Sequence, residues 1–434
     1  MSIGRRFTYR SADSGISYAE IKADAFASAT EWQCYVIGCD ADGYSRILFS
    51  QGPVAGNRAR QQAFASEGFV DISASGEIIE NATITPLANP TVIFPRLPDS
   101  AKELATGWSC ALRVDDTRRE FCASADAQPT HEFLHFTELN RMALDATYLA
   151  SRDREYEFDC ELGLVHRART ILQRGSPTDR TSSSETAWLV DVTEMEGPNE
   201  NTLKTSAAEY FDACAEYQQF IELALWDLSN SVHWLQKAVD ALELARPAIV
   251  HPVVQHWLER KLALLAQERS ELVDGNKRLE QVIGKPAPPW QAVDLDGAVC
   301  ASADFLGQPV VLCFWDRGCA WSLRTLLALN GLATEMRDRS VAFLGVTSAK
   351  DVELARLVWQ SLGIRFPTVI DHGSIESIAT AYLVDGYPAT AVVDSNGVLR
   401  RIRSGHSFAI APTLAAEIAK LESEHRATGL RVEI

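Results

Sequence analysis

Three kinds of hydrophobic pattern follow one another along the chain. Up to about residue 200, apolar positions come in short aromatic or β-branched runs such as Phe7-Thr-Tyr, Trp32-Gln-Cys-Tyr-Val-Ile, Ser45-Arg-Ile-Leu-Phe and Phe69-Val-Asp-Ile. Turn formers such as Asp40-Ala-Asp-Gly and Ser75-Gly separate them, and similar runs cover 106–114, 142–151, 155–161, 165–172 and 187–192. Short strands with polar breaks predict a large antiparallel sheet or half-open barrel. From Thr205 to about residue 280 the period becomes helical. Tyr210, Cys214, Tyr217, Ile221, Leu225 and Leu228 lead on to Trp234, Leu235, Val239 and Leu242. Arg246-Pro interrupts, and 252–279 carries a second amphipathic face, so an αα-hairpin is predicted. Beyond residue 283, apolar strand-like runs alternate with amphipathic helical ones, as in βαβ folds. The pattern therefore predicts a multidomain α+β chain. Its parts are an N-terminal antiparallel β-rich domain over 1–200, a helical hairpin over 205–281 and an α/β domain over 283–425.

Within the last domain one stretch carries candidate chemistry. Pro309 to Trp315 reads as a buried parallel strand that breaks at Asp316-Arg317-Gly318, and helical periodicity begins at Ser322. Cys319 thus stands where a strand hands over to a helix. Unpaired backbone N–H groups and the helix dipole there favour a thiolate, and Arg317 and Arg324 are its neighbours in sequence. Cys313, mid-strand, reads as a buried and inert thiol.

The surrounding motifs run in one family's order. They are Ile283-Gly-Lys-Pro-Ala-Pro-Pro-Trp, Asp294-Leu-Asp-Gly, Phe305-Leu-Gly-Gln-Pro-Val-Val-Leu-Cys-Phe-Trp and Gly386-Tyr-Pro-Ala-Thr-Ala-Val-Val-Asp-Ser-Asn-Gly. Residues 283–410 resemble the thioredoxin-like redoxins, specifically the TlpA-type thiol–disulfide oxidoreductases that border on the peroxiredoxins of the AhpC/TSA type. The resemblance implies a thioredoxin-like fold, a Cys-x-x-Cys site and a cis-proline, positions that fall on Cys319, Ser322 and Pro388. It also implies that Tyr387 presents its backbone to a partner's extended chain, with Trp315, Trp321 and Tyr387 as a docking surface. The sequence departs from the family in four ways: the proline early in this helix is missing from Leu326-Leu327-Ala328, Trp321 replaces the proline that often precedes the second cysteine, and two further changes touch the chemistry. Ser322 replaces the second cysteine, and Thr325 replaces an acid that helps move protons in many members. What remains is a monothiol version of a dithiol site.

Charge and composition narrow the partners. With 41 basic and 58 acidic residues the net charge is −17, which argues against a nucleic-acid or anionic-membrane surface. The acid excess lies upstream of residue 283. Nine cysteines occur without any Cys-x-x-Cys, so neither a zinc ribbon nor a disulfide framework is suggested. No apolar run is long enough to span a bilayer, and the first residues lack the apolar core of a secretory signal. A cytoplasmic protein is expected, or an exported one if a signal or anchor precedes residue 1. His131-Glu-Phe-Leu-His135 has the form of a zinc-peptidase motif. On a helix its imidazoles lie within about 6 Å of each other, but on a strand they are roughly 13 Å apart. Alternation around it favours the strand, so no metal and no cofactor are expected.

Three functional classes fit. In the first, Cys319 attacks a partner's disulfide and needs an external thiol for release, which makes protein thiols and disulfides the partners. The second is a redox-silent thioredoxin-fold scaffold that binds another protein. The third, a one-cysteine peroxidase, lacks the Pro and Thr that precede a peroxidatic cysteine, since Trp315-Asp-Arg-Gly stands there. A second thiol for the first class is sought in Cys300 or in the β-rich domain, within the Cα separation of about 7 Å that bridging needs. The helical hairpin reads as a spacer or, alternatively, as a coiled-coil arm for a homodimer.

Overall fold

A computed structural model describes residues 5–13, 30–39, 44–53, 66–73, 78–83, 93, 95, 97, 108–114, 117–125, 133–139, 141–143, 149–176, 179–195, 198–317, 319–348, 352–371, 377–407 and 409–429. The chain forms two compact units. One comprises residues 1–215 and 240–267, the other residues 216–239 and 268–434.

The first unit is built on a twelve-stranded sheet. Its strands are β1 (Arg5–Asp13), β2 (Thr30–Cys39), β3 (Ser45–Pro53), β4 (Ser66–Ile72), β5 (Ile78–Thr83), β6 (Trp108–Val114), β7 (Thr117–Ala125), β8 (Phe133–Leu139), β9 (Arg141–Ala143), β10 (Leu149–Asp159), β11 (Leu164–Ser176) and β12 (Asp179–Glu194). The order is β5-β4-β3-β2-β1-β12-β11-β10-β8-β7-β6, with β9 also on β10. Alternate residues form the core: Phe7 and Tyr9, then Trp32, Cys34 and Val36, then Ile47 and Phe49. The opposite face is covered too, since Tyr35 and Leu48 are each 2 % exposed. Helical residues of the same unit pack near β4, where Phe211 meets Phe69 at 5.9 Å and Tyr210 meets Trp257 at 5.8 Å. The Tyr210 hydroxyl donates to Glu67, which pairs with Arg260.

The His-Glu-x-x-His segment lies partly on β8, which pairs antiparallel with β10, and His135 is exposed there. His131 lies outside the described residues. Among the described residues no cluster of metal-binding side chains forms.

The helical segment departs from the predicted hairpin. It holds three helices, α1 (Pro198–Trp226), α2 (Ser231–Ala245) and α3 (Pro252–Glu280), with a 3₁₀ turn at Leu228–Asn230. Asp227 causes the early break. Its carboxylate accepts hydrogen bonds from Ser229 Oγ (3.0 Å), Asn230 Nδ2 (2.9 Å) and Trp234 Nε1 (3.0 Å), an arrangement that competes with continued helix. The division between the two compact units passes through this segment, with residues 198–215 and 240–267 in the first unit and 216–239 and 268–280 in the second.

The second unit holds a seven-stranded sheet in the order β14-β13-β17-β16-β15-β18-β19. These strands are β13 (Gln291–Asp294), β14 (Val299–Ala301), β15 (Val310–Trp315), β16 (Ala342–Thr347), β17 (Thr368–Ile370), β18 (Ala389–Val393) and β19 (Leu399–Ser404). Strands β15, β16 and β17 are parallel, whereas β18 runs antiparallel to β15. Helices α4 (Ala320–Glu335), α5 (Val352–Ser361), α6 (Ile378–Ala381) and α7 (Ile410–Gly429) complete it.

Strand β15 is buried on both sides, and parity sorts its residues. Val311, Cys313 and Trp315 pack with Leu326 and Leu329 of α4, Trp359 of α5 and Leu414 of α7. Val310, Leu312 and Phe314 pack with Ile378 of α6, Tyr382 and Leu279 of α3. In the neighbouring strand, a Cβ on Gly345 would come within 2.8 Å of both Thr368 Cβ and Trp359 Cη2, so only glycine fits. Among the described residues no helix is long and apolar enough to cross a membrane.

Candidate active site

The apolar run of β15 ends at Trp315, and a turn through Asp316 and Arg317 leads to α4. Cys319 is the N-cap residue of that helix, with φ −97° and ψ 111°. Its N–H donates to the Asp316 carbonyl (3.1 Å), and its carbonyl accepts the first bond of the helix from Leu323 (3.2 Å). The thiol is partly exposed. It points across to the loop before β18, where Sγ lies 3.4 Å from the carbonyl oxygen of Tyr387. The Tyr387–Pro388 peptide bond is cis. Pro388 is buried and Tyr387 half-buried. Residues 68 positions apart thus meet at the end of the central strand, where open α/β sheets place their sites.

Ser322 is fully buried one turn into α4, and its Oγ accepts from the Asp316 N–H at 3.2 Å. The hydroxyl therefore locks the turn that carries Cys319. Trp321 is half-buried and forms the site's flank, stacked on His406 with ring centroids 4.9 Å apart and 22° between planes. Arg324 lies over the Trp321 ring at 5.2 Å, and Arg317 is exposed in the turn.

Trp315 requires a correction. Its side chain is completely buried, with Nε1 donating to Thr368 Oγ1 at 3.0 Å and the ring 5.5 Å from that of Trp359. It supports the site from below and offers nothing for a partner to touch. Cys300 is likewise excluded as a second thiol for Cys319. It lies on β14, four strands from β15, a separation of roughly 19 Å at the usual strand spacing. Burial, with Asp304 and Asp294 nearby, raises its thiol above the ordinary value. Cys313 is buried and its thiol is pushed well up by desolvation, as befits a core residue. Among the described residues no disulfide forms.

Sequence reasoning missed a second layer. His406, between β19 and α7, places Nδ1 2.9 Å from Thr325 Oγ1. Its carbonyl accepts from Arg403 Nη2 (3.2 Å), and the buried Arg403 pairs with Glu222 of α1 at 2.5 Å. No motif marks these residues, although pairing β18 with β19 brings Ser404 opposite Ala389 and so delivers His406 beside Pro388. A cavity of about 820 Å³ opens along the same loop, lined among others by Leu225, Leu272, Leu279, Leu383, Asp385 and Gly386. An ion pair between Arg278 and Asp385 (3.0 Å) stands at its edge.

Known proteins resemble the C-terminal region. Residues 283–402 match the AhpC/TSA family model. The thiol-disulfide oxidoreductase ResA of Geobacillus kaustophilus is 28% identical over 123 residues, 28% of this chain and 70% of that protein. The thioredoxin-like protein YneN of Bacillus subtilis is 30% identical over 124 residues, 28% of this chain and 71% of its own length. Among solved structures, a thiol-disulfide oxidoreductase from Bacteroides fragilis aligns at 19% identity, covering 30% of this chain and 98% of that one, with a TM-score of 0.28. Through its C-terminal region, residues 283–402, the chain belongs to the thioredoxin-like redoxins of the AhpC/TSA family.

Proposed function

We propose that the C-terminal unit carries out thiol–disulfide exchange through the single thiol of Cys319. The observation that supports this most directly is the placement of a partly exposed Sγ at the N-cap of α4, 3.4 Å from the Tyr387 carbonyl. In the reaction, the Cys319 thiolate attacks one sulfur of a partner protein's disulfide. A Cys319–partner bond forms, the partner's S–S bond breaks, and the second partner sulfur leaves as a thiolate that takes up a proton. Ser322 cannot perform the second displacement, so an external thiol must attack the mixed disulfide and release Cys319. The partner's extended chain runs across the Tyr387 backbone, with Trp321 as a flank and the cavity beside Gly386 receiving its neighbouring side chains.

The burial of Ser322 favours the alternative of a redox-silent, partner-binding scaffold, since its hydroxyl is committed to the turn. One experiment separates the two. The intact chain is mixed with a peptide disulfide near pH 8 and followed by intact mass, with Cys319→Ala as control. Exchange predicts one adduct on Cys319 that glutathione removes. If the peptide labels the chain and its Cys319→Ala variant equally, or labels neither, the scaffold reading stands and exchange is wrong.

A further inference from the structure

His406 is tied to the Cys319 site from three directions. Its imidazole lies against Trp321, two residues beyond Cys319 in the first turn of α4. Its Nδ1 meets Thr325 Oγ1 at 2.9 Å, and Thr325 is completely buried one turn below Ser322. The residue before it, Gly405, donates its N–H to the Pro388 carbonyl at 2.7 Å, in the same loop whose Tyr387 carbonyl faces Cys319 Sγ. A threonine hydroxyl can donate to neutral imidazole nitrogen or accept from imidazolium, so this contact survives either protonation state. The ring is thereby held in place in either state.

An imidazole titrates ordinarily near pH 6.5, inside the range in which thiols become nucleophilic. Charged groups on the neighbouring elements include Arg324, which lies over the Trp321 ring, Arg403 on β19 with its partner Glu222 on α1, and Asp316 and Arg317 in the turn before Cys319. The Arg403–Glu222 pair fixes the backbone of the His406 loop from behind.

We infer that His406 is a positioning residue that sets the pH range over which Cys319 reacts. Protonated, it adds a positive charge against Trp321 and Thr325, in the first turns of the helix that Cys319 caps; neutral, it keeps the stacking and withdraws the charge. The inference rests on the exchange reading of Cys319 and deepens it. No new oxidant or reductant enters, because the partner's disulfide remains the only electron acceptor.

The test is the rate of Cys319 alkylation by iodoacetamide between about pH 5.5 and 9.5, a window that brackets the ordinary imidazole and thiol values. The full-length chain is compared with His406→Gln, which keeps a polar side chain but does not titrate. The wild type is expected to show a shoulder below neutral pH that the variant lacks. The rates should differ roughly threefold near pH 6.5 and converge above the thiol's own titration. Thr325→Val, which removes the hydrogen bond and retains the volume, should reduce the shoulder. It also serves as the informative variant if His406→Gln folds poorly. Superimposable profiles, or a constant factor at every pH, overturn the inference, the latter because a purely structural role lowers all rates alike. If wild-type Cys319 forms the peptide adduct and yet the profiles coincide, only the role of His406 falls. If Cys319 forms no adduct, the exchange reading has failed first.

Discussion

Cys319 and Ser322 lie three residues apart, yet one is partly exposed and the other is sealed in the turn. Ser322 thus puts a hydroxyl, and no second thiol, into the turn and ties that turn to Asp316. Restoring the thiol tests this directly. In Ser322→Cys the mixed disulfide on Cys319 should collapse to an internal disulfide between Cys319 and the new thiol. The adduct that persists in the wild type then disappears from the mass spectrum. Sulfur accepts weakly from the Asp316 N–H, so the reduced variant should lose about 1 kcal/mol in urea denaturation. An adduct that persists unchanged in Ser322→Cys would mean that residue 322 does not face Cys319. At this scale, the strand–helix setting of Cys319 is legible in the apolar run and its abrupt end. Trp315 is harder to place, because nearness in sequence suggests nearness to the surface. Strand parity assigns it otherwise, since it shares a face with Val311 and Cys313. His406 gives no such signal. Its place depends on how β18 pairs with β19, a long-range register that no local pattern encodes.

Among the elements, the break between α1 and α2 shows one carboxylate overriding a helical pattern. Periodicity runs through residues 205–244 without a proline or glycine to stop it, which is why the sequence predicts one long helix there. Asp227 instead gathers Ser229, Asn230 and Trp234 around itself. Partial burial pushes its carboxyl upward, but the hydrogen bonds from Trp234, Asn230 and Ser229 outweigh that and hold it below its ordinary value. The sign of the pH dependence follows. A depressed folded-state value stabilises the fold above the unfolded value of roughly 3.9 and loses that contribution as pH falls through the folded value. Asp227→Ala should therefore cost about 1 kcal/mol near neutral pH in chemical denaturation. The gap from wild type should narrow below about pH 4. A gap that stays constant through that range would assign the effect to helix propensity alone. The strands of both sheets are easier to foresee, because period-two burial in Phe7, Tyr9, Trp32, Cys34 and Val36 is written in the residues themselves.

For the whole molecule, the consequential point is where the redoxin unit begins. Motifs place its start at residue 283, but its packing reaches further back. Leu279 belongs to the core on one face of the sheet, with Leu228 against it, and Trp226 packs on the other. Arg403 is only 3% exposed and depends on Glu222 for its countercharge. A fragment of residues 283–434 would uncover the sheet face that Leu279 closes and leave Arg403 without its partner. Burying a leucine is worth about 2 kcal/mol, and breaking a buried ion pair costs roughly 3 kcal/mol or more. A fragment of residues 216–434 keeps both. Its thermal midpoint should exceed that of 283–434 by roughly 10 °C or more, given the few degrees that each kcal/mol moves a domain of this size. Since Arg403 also holds the carbonyl of His406, the shorter fragment should lose the low-pH shoulder in Cys319 alkylation even where it remains folded. Equal midpoints would return residues 216–282 to the role of a spacer. A large difference would make these helical residues part of the active unit, holding the second layer of its site in place.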